Sequence, residues 1–351
     1  MDMNTFLMIV ILLLMAAALY WYFRKTESID DTEQYNDFLT KDRLSIMVIE
    51  TFATYMQKNV NEMNLSQEEY NKISAGKEDL IYAIRNAPFG EKASKYYVTS
   101  FMQDIFQDKR LGQINNYNIL KIIPFDRPEE MTARDRFEIL VFRWLKEGKH
   151  GFSKNFSGYG LDQPKDTEYG DYYVVTEEDI IRVYDEYTRE HGEMPYKDQL
   201  AFLVQSVYED TYGFGAIDLL LETDVDEVQG GVSGIPANSY DIEVEDTENV
   251  SFSFESIWIV YKGLNIHLKC TTFGTQAELI RVTKNICRYD SPAMLTENDA
   301  GIIGSMKNGN RITAFRPYFS DTYGFMARKF DSAPSLAPEL LLTPENPEKV
   351  S

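Results

Sequence analysis

A chain of 351 residues and 40.6 kDa with 44% hydrophobic content is long enough for two domains and a sizeable core. Its formal net charge of −21 and isoelectric point near 4.6 argue against a phosphate-backbone partner, which needs a basic face, so no nucleic acid is expected. Cys270 and Cys287 are too few for a zinc site and fall inside a strand and a helix pattern, which reads as reduced core thiols. His150, His191 and His267 are scattered, and no metal is expected.

Thr5 to Phe23 is an uncharged, nearly all-apolar run, followed at once by Arg24-Lys25. At the rise of an α-helix, such a run crosses the hydrocarbon layer of about 30 Å, and the chain reads as anchored by a transmembrane helix over residues 1–25. The rival is a cleaved signal peptide, since Ala16-Ala17-Ala18 imitates a cleavage site. Asp2 precedes the run and the positive pair follows it, which favours the anchor and puts the rest of the chain in the cytoplasm, on an inner membrane. Residues 26–41 are acidic and polar and read as a tether.

Residues 42–147 read as a helical domain. Leu44, Met47, Val48, Thr51, Phe52, Tyr55 and Met56 form a helical stripe, which either packs on the next helices or makes a short oligomerisation seam. Ser66-Gln67-Glu68-Glu69 has capping-box form before a second helix. A third spans about 91–109, and Thr132-Ala133-Arg134-Asp135 opens a fourth with Phe137, Leu140, Val141 and Trp144 on one side. Residues 148–172 mix glycines with Phe152, Phe156, Tyr159 and Tyr169 and read as a loop or linker at a domain boundary.

The last unit, 173–330, reads as α+β. Thr176 caps one helix, Lys197 to Tyr212 forms another, and 222–248 is an acidic, turn-rich loop without calcium-loop spacing. Ile257 to Tyr261 and Ile266 to Thr271 flank the turn Lys262-Gly263-Leu264-Asn265 as a hairpin. Thr275 caps a helix ended at Asp290-Ser291-Pro292, and strands follow over Arg311 to Arg316 and Phe325 to Phe330. A Pro-rich tail, read as disordered, fills 331–351. The expected fold is α+β: an N-terminal transmembrane helix, a helical region, then a small mixed sheet flanked by helices.

Residues Lys197 to Phe330 resemble the domain that precedes the motor in CpaF-like ATPases of tight-adherence pili and their relatives in type II and type IV secretion. The matching pieces are Trp258 to Gly263, Phe273 with Glu278-Leu279, Gly309-Asn310-Arg311 and Arg328-Lys329-Phe330. Upstream, Gly213 to Leu221 and Val225 to Val228 match that family's helix and first short strand. The family's RecA-like domain opens with G-x-x-x-x-G-K-[ST], and neither Gly76-Lys77 nor Gly148-Lys149 continues to Ser or Thr. The resemblance implies no cofactor for this chain alone, and ATP with magnesium if a RecA-like motor is supplied in trans.

In that case Arg311 and Arg328 match the arginines that approach nucleotide phosphates. The plainer reading makes them strand-edge arginines paired with carboxylates. No catalytic set stands out in the residues. The function implied is a membrane-anchored scaffold or regulator of a pilus or secretion machine, with machinery proteins and a second copy as partners. The alternative is the front part of a truncated or split ATPase.

Overall fold

The computed structural model describes residues 39–57, 59, 66–109, 113–167, 170–236, 251–289 and 295–329. The apolar run, the tether before residue 39, Phe330 and the tail lie outside them, as do 237–250 of the acidic loop. Among the described residues, no helix is long and apolar enough to cross a membrane.

The protein is α+β. Among the described residues, three long helices come first: α1 (Lys41–Gln57), α2 (Gln67–Asn86) and α3 (Lys92–Gln107). A short α4 (Ile119–Ile122) and then α5 (Ala133–Lys146) follow. The expected capping box forms at the start of α2, where Ser66 and Glu69 exchange hydrogen bonds, and the helix expected to open at Thr132 is α5, where Thr132 and Asp135 make a second box. On α1 the stripe buries Leu44, Val48 and Phe52, with Phe52 stacked on Tyr212 and edge-on to Phe101. That stripe therefore packs inward.

The glycine and aromatic stretch differs from its expectation. Gly151–Gly158 is a helix, α6, which buries Phe152 and Phe156 on one face. Both phenylalanines are four residues apart and so lie above one another. The glycines hide this period, and at Gly151 the reason is steric: a Cβ there would sit 1.9 Å from the Trp144 carbonyl oxygen. Beyond α6, β1 (Lys165–Thr167) and β2 (Gly170–Tyr172) pair antiparallel.

Then come β3 (Val174–Val175), α7 (Glu177–His191), capped by Thr176, and α8 (Tyr196–Thr211). The helix expected near Gly213 to Leu221 is instead two 3₁₀ turns, Gly215–Ile217 and Leu220–Glu222. Gly215 requires its glycine, with φ of 56° and Glu278 where a Cβ would point. The remaining elements are β4 (Glu227–Gly230), β5 (Ile257–Tyr261), β6 (Leu264–Leu268), α9 (Gln276–Ile286), β7 (Gly301–Ser305), β8 (Arg311–Phe315) and β9 (Gly324–Arg328). Strand β7 has no counterpart in the sequence reading.

These strands form a seven-stranded mixed sheet in the order β3-β6-β5-β4-β9-β8-β7, parallel only between β3 and β6. Ile257, Ile259 and Tyr261 alternate with half-buried residues on β5, and Ile312 and Ala314 alternate with exposed ones on β8. The buried face packs on α6, through Phe152 and Phe156 against Tyr261, and on α9, which contacts β8 and β9.

A buried polar network joins the helices to this sheet. Arg281 of α9 donates to the carbonyls of Glu209 and Gly213 at the end of α8, at 3.1 and 2.9 Å. Gln205 Nε2 donates to both Glu209 and Asp218 at 2.8 Å, and Asp218 also accepts from the Phe214 N–H. Lys95 from α3 pairs with Asp218 and Glu222. Burial pulls the Lys95 ammonium down, but these two carboxylates outweigh it and hold its pKa above the ordinary value.

Glu209 is 1% exposed, and its Oε2 has no hydrogen-bond partner among the described residues. Burial, then the Glu138 and Asp218 carboxylates, raise its pKa well above 4.5. The folded state thus keeps a proton that the unfolded chain releases, so this group's stabilising effect is full below pH 4.5 and is lost as pH rises through the folded pKa. The slope in that window is about 1.4 kcal/mol per pH unit. Glu209→Gln, a neutral isostere, is therefore expected to raise the urea midpoint at pH 7 and leave it near wild type at pH 4. Equal destabilisation at both pH values would contradict this assignment.

Candidate functional site

The β8–β9 ladder sets Arg311 opposite Arg328, and Arg328 opposite Glu227 on β4. Both arginines are exposed, on the sheet face turned away from α9. Two like charges directly opposite repel, and the adjacent carboxylate offsets part of that cost. The structure thus brings together the two residues that the sequence offers as phosphate contacts. The next row on the same face runs Ile303, Thr313, Met326, Gln229, Trp258, His267 across six strands.

At the β6 end this row is closed. Trp258 and His267 stack with ring centroids 4.2 Å apart and planes 5° from parallel, and the Tyr172 hydroxyl lies 2.8 Å from His267 Nδ1. Burial, helped by Lys269, lowers the His267 pKa to about 4, so its imidazole is neutral at physiological pH. At the other end the row is open: Ile303 is 85% exposed, and Thr313 and Met326 are exposed beside it. Sequence reasoning missed the Trp258–His267 pair, although a two-residue turn at Lys262-Gly263, with φ of 52° and 80°, dictates that register.

A cleft of about 710 Å³ lies where β4 and β8 begin and β9 ends. The sheet contributes Asp226, Asn310 and Lys329, one step past the last paired residues, and Lys329 N–H donates to the Asp226 carbonyl at 2.9 Å. The turn between β7 and β8 reaches across to the loop before α3. Lys307 Nζ pairs with Glu91 at 2.7 Å and reaches Tyr82 and Asn86, and its N–H donates to the Phe89 carbonyl at 2.9 Å. That contact sets Asn308 and Asn310 beside Lys92 in the cleft wall. Asn310 is 6% exposed, and its Nδ2 has no hydrogen-bond partner among the described residues, a cost on the order of 1–3 kcal/mol for a buried donor.

On the far wall, Asp224 gathers three donors. It accepts from the Ser153 N–H at 3.2 Å and from the Ser153 hydroxyl, and its Oδ2 lies 3.1 Å from His150 Nδ1. Ser, His and Asp are therefore neighbours, but the acid sits in the middle. The serine donates to aspartate rather than to histidine, so no base activates it. Asp224 instead caps the first turn of α6 from outside the helix. Among the described residues, no cluster of three or more His, Cys, Asp or Glu side chains has the geometry to hold a metal ion. Cys270 and Cys287 are free and buried, and burial pushes both thiols up.

Compared with protein-family models and with curated proteins, the chain matches none.

Burial opposes ionisation of Asp224, but the Ser153 and His150 hydrogen bonds outweigh it and hold the carboxyl below its ordinary 3.8. Its stabilising effect is therefore full above pH 3.8 and is lost as pH falls through the folded value. Asp224→Ala is expected to cost about 1–2 kcal/mol at pH 6, the range for a lost helix cap. The difference from wild type should shrink on acidification below pH 3.8, as read by urea denaturation. A difference that is constant with pH would show that the carboxylate is not the capping group.

Proposed function

We propose that the protein is a membrane-anchored, non-catalytic scaffold or regulatory component of a bacterial pilus or type II or type IV secretion machine. It binds other proteins through the open end of its sheet. The observation that carries this reading is the asymmetry of the sheet: one face is filled by α6 and α9, while the other exposes Ile303, Thr313, Met326, Arg311 and Arg328. An exposed apolar row flanked by charge is the composition of a binding surface. The apolar run Thr5 to Phe23 supports the anchor, and Arg24-Lys25 supports a cytoplasmic, inner-membrane orientation. The resemblance over Lys197 to Phe330 supports the class of machine, and its partners are machinery proteins and further copies of the chain.

One observation favours a second reading, a split ATPase that hydrolyses ATP with magnesium only when a RecA-like motor is joined to it. Arg311 and Arg328 stand side by side, as two guanidinium groups converging on a phosphate would. Incubating the purified full chain in detergent with MgATP and measuring phosphate release separates the two. The scaffold reading expects no turnover. Turnover by the chain alone that disappears in Arg311→Ala overturns it, and turnover that requires both Arg311 and an added RecA-like motor domain selects the second reading.

A further inference from the structure

Strand β7 is the last in the sheet and, among the described residues, pairs only with β8. The bonds at its two ends show which backbone groups that pairing uses. Arg316 N–H donates to the Ala300 carbonyl at 2.9 Å, and Met306 N–H donates to the Asn310 carbonyl at 2.8 Å. Bonding alternates along an antiparallel pair, so Ala300, Ile302, Gly304 and Met306 face β8. Gly301, Ile303 and Ser305 therefore turn their N–H and C=O groups out of the sheet, where no described residue bonds them.

Natural sheets blunt such an edge with lysine, proline, a bulge or a very short strand. The other end of this sheet does so, since β3 consists of Val174 and Val175 alone. Strand β7 instead runs through Gly301-Ile302-Ile303-Gly304-Ser305 without charge or proline and in unbroken register with β8. Its open face is apolar as well. Ile303 stands almost fully exposed there, and a Cβ on Gly301 would lie 3.8 Å from the Phe319 ring, which places that mostly exposed ring beside Ile303.

Self-complementarity points to the occupant of this edge. The stretch from Asp299 to Lys307 begins with an acid, ends with a base and carries no charge between them. Laid antiparallel on itself about Ile303, it sets Ile303 opposite Ile303, Gly301 opposite Ser305, and the exposed Asp299 opposite Lys307 at both ends. The Lys307 ammonium also holds Glu91 at 2.7 Å, so Asp299 of the copy joins an existing pair. A slip of two residues would leave Gly301 or Ser305 beyond the end of the other strand, and parallel pairing would bring Asp299 to Asp299.

We propose that two copies of the chain pair antiparallel through β7, about a two-fold axis at Ile303, and so join their sheets into one. The same patch serves on both copies. Gly301, Ile303 and Ser305 exchange backbone bonds across the joint, and Ile303 and Phe319 of both copies form one apolar strip over it. The inference rests on the scaffold reading only in taking further copies as partners, and it leaves the Thr313 face open on each copy.

The test takes the purified full chain in detergent through a concentration series, with its protein mass read by light scattering, and through disulfide cross-linking of Ile303→Cys. The expected result is a dimer that dissociates on dilution and a rapid Ile303→Cys cross-link, since facing Cα atoms in a bonded antiparallel pair lie about 5.5 Å apart. Thr313→Cys would lie about 14 Å from its counterpart, three strand spacings away, and is not expected to cross-link, whereas a face-to-face stack would link it. Ile303→Lys sets two like charges opposite each other and is expected to weaken the dimer about tenfold or more. Ile303→Pro removes an outward N–H without touching the β8 ladder and is expected to weaken it too. If the proline variant fails to fold, the lysine variant, at an exposed position, decides. A monomer at every concentration, a dimer undiminished in the folded variants, or Thr313→Cys linking as fast as Ile303→Cys overturns the pairing. A monomer whose Thr313→Cys is protected in native membranes overturns the pairing and leaves the scaffold reading standing. A β7-dependent dimer whose Thr313→Cys is unprotected there upholds the pairing and overturns the scaffold reading.

Discussion

A run of aromatic rings, Trp144, Phe152, Phe156 and Tyr261, holds the helices to the sheet. Trp144 on α5 meets Phe152 at 5.9 Å, Phe152 stacks on Phe156 at 5.0 Å, and Phe156 meets Tyr261 of β5 edge-on at 5.4 Å. All four are essentially inaccessible to solvent. Rings of this size bury far more apolar area than aliphatic side chains, and their edge-to-face geometry fixes how the two halves meet. The Tyr261 hydroxyl adds bonds to Ser157 and to the Ser153 carbonyl, so α6 is held by its polar side as well. Since Asp224 caps this same helix, the joint and the far wall of the cleft are one construction.

The sheet depends on that joint for its asymmetry. With α6 and α9 filling one face, the register of β9 against β4 and β8 presents Arg311, Arg328, Thr313 and Met326 together on the other. The ladder also ends abruptly, where Asp226, Asn310 and Lys329 pass from paired strand into the wall of the cleft. Lys307 then draws the turn before β8 onto the loop before α3. A rigid ladder thus positions two different surfaces, an exposed apolar and basic face and a polar cleft, at one end of the sheet.

Elements with strong local signals were legible in the sequence. Ser66, Thr132, Thr176 and Thr275 each cap the helix expected of them, because an Ncap side chain answers orphan N–H groups wherever the helix sits. The hairpin of β5 and β6 was legible from its Lys262-Gly263 turn, but the turn is two residues rather than four, so the second strand is Leu264–Leu268 and not Ile266 to Thr271. What was lost depends on distant contacts. Helix α6 is short, and Gly151 is glycine because of the Trp144 carbonyl, a tertiary fact that looks like a loop signal in sequence. Strand β7, Gly301-Ile302-Ile303-Gly304-Ser305, has two glycines and one side chain that is 85% exposed, so it shows no alternation. Asp224 lay inside a run of acids that reads as solvated, and only folding sets it over the start of α6. Arg311 and Arg328 entered through resemblance, and their adjacency is a matter of strand register that spacing does not reveal.

The central claim is that the face carrying Thr313 is open in the isolated protein and covered by a protein partner in the membrane. Maleimide labelling of Thr313→Cys tests it most directly, with Ile312→Cys as the inward-facing control and the buried Cys270 and Cys287 as background. The account predicts fast labelling at Thr313→Cys in the purified full chain, slow labelling at Ile312→Cys, and marked protection of Thr313→Cys in native membranes. Slow labelling of Thr313→Cys in the purified chain, or the same fast rate in membranes, would contradict it.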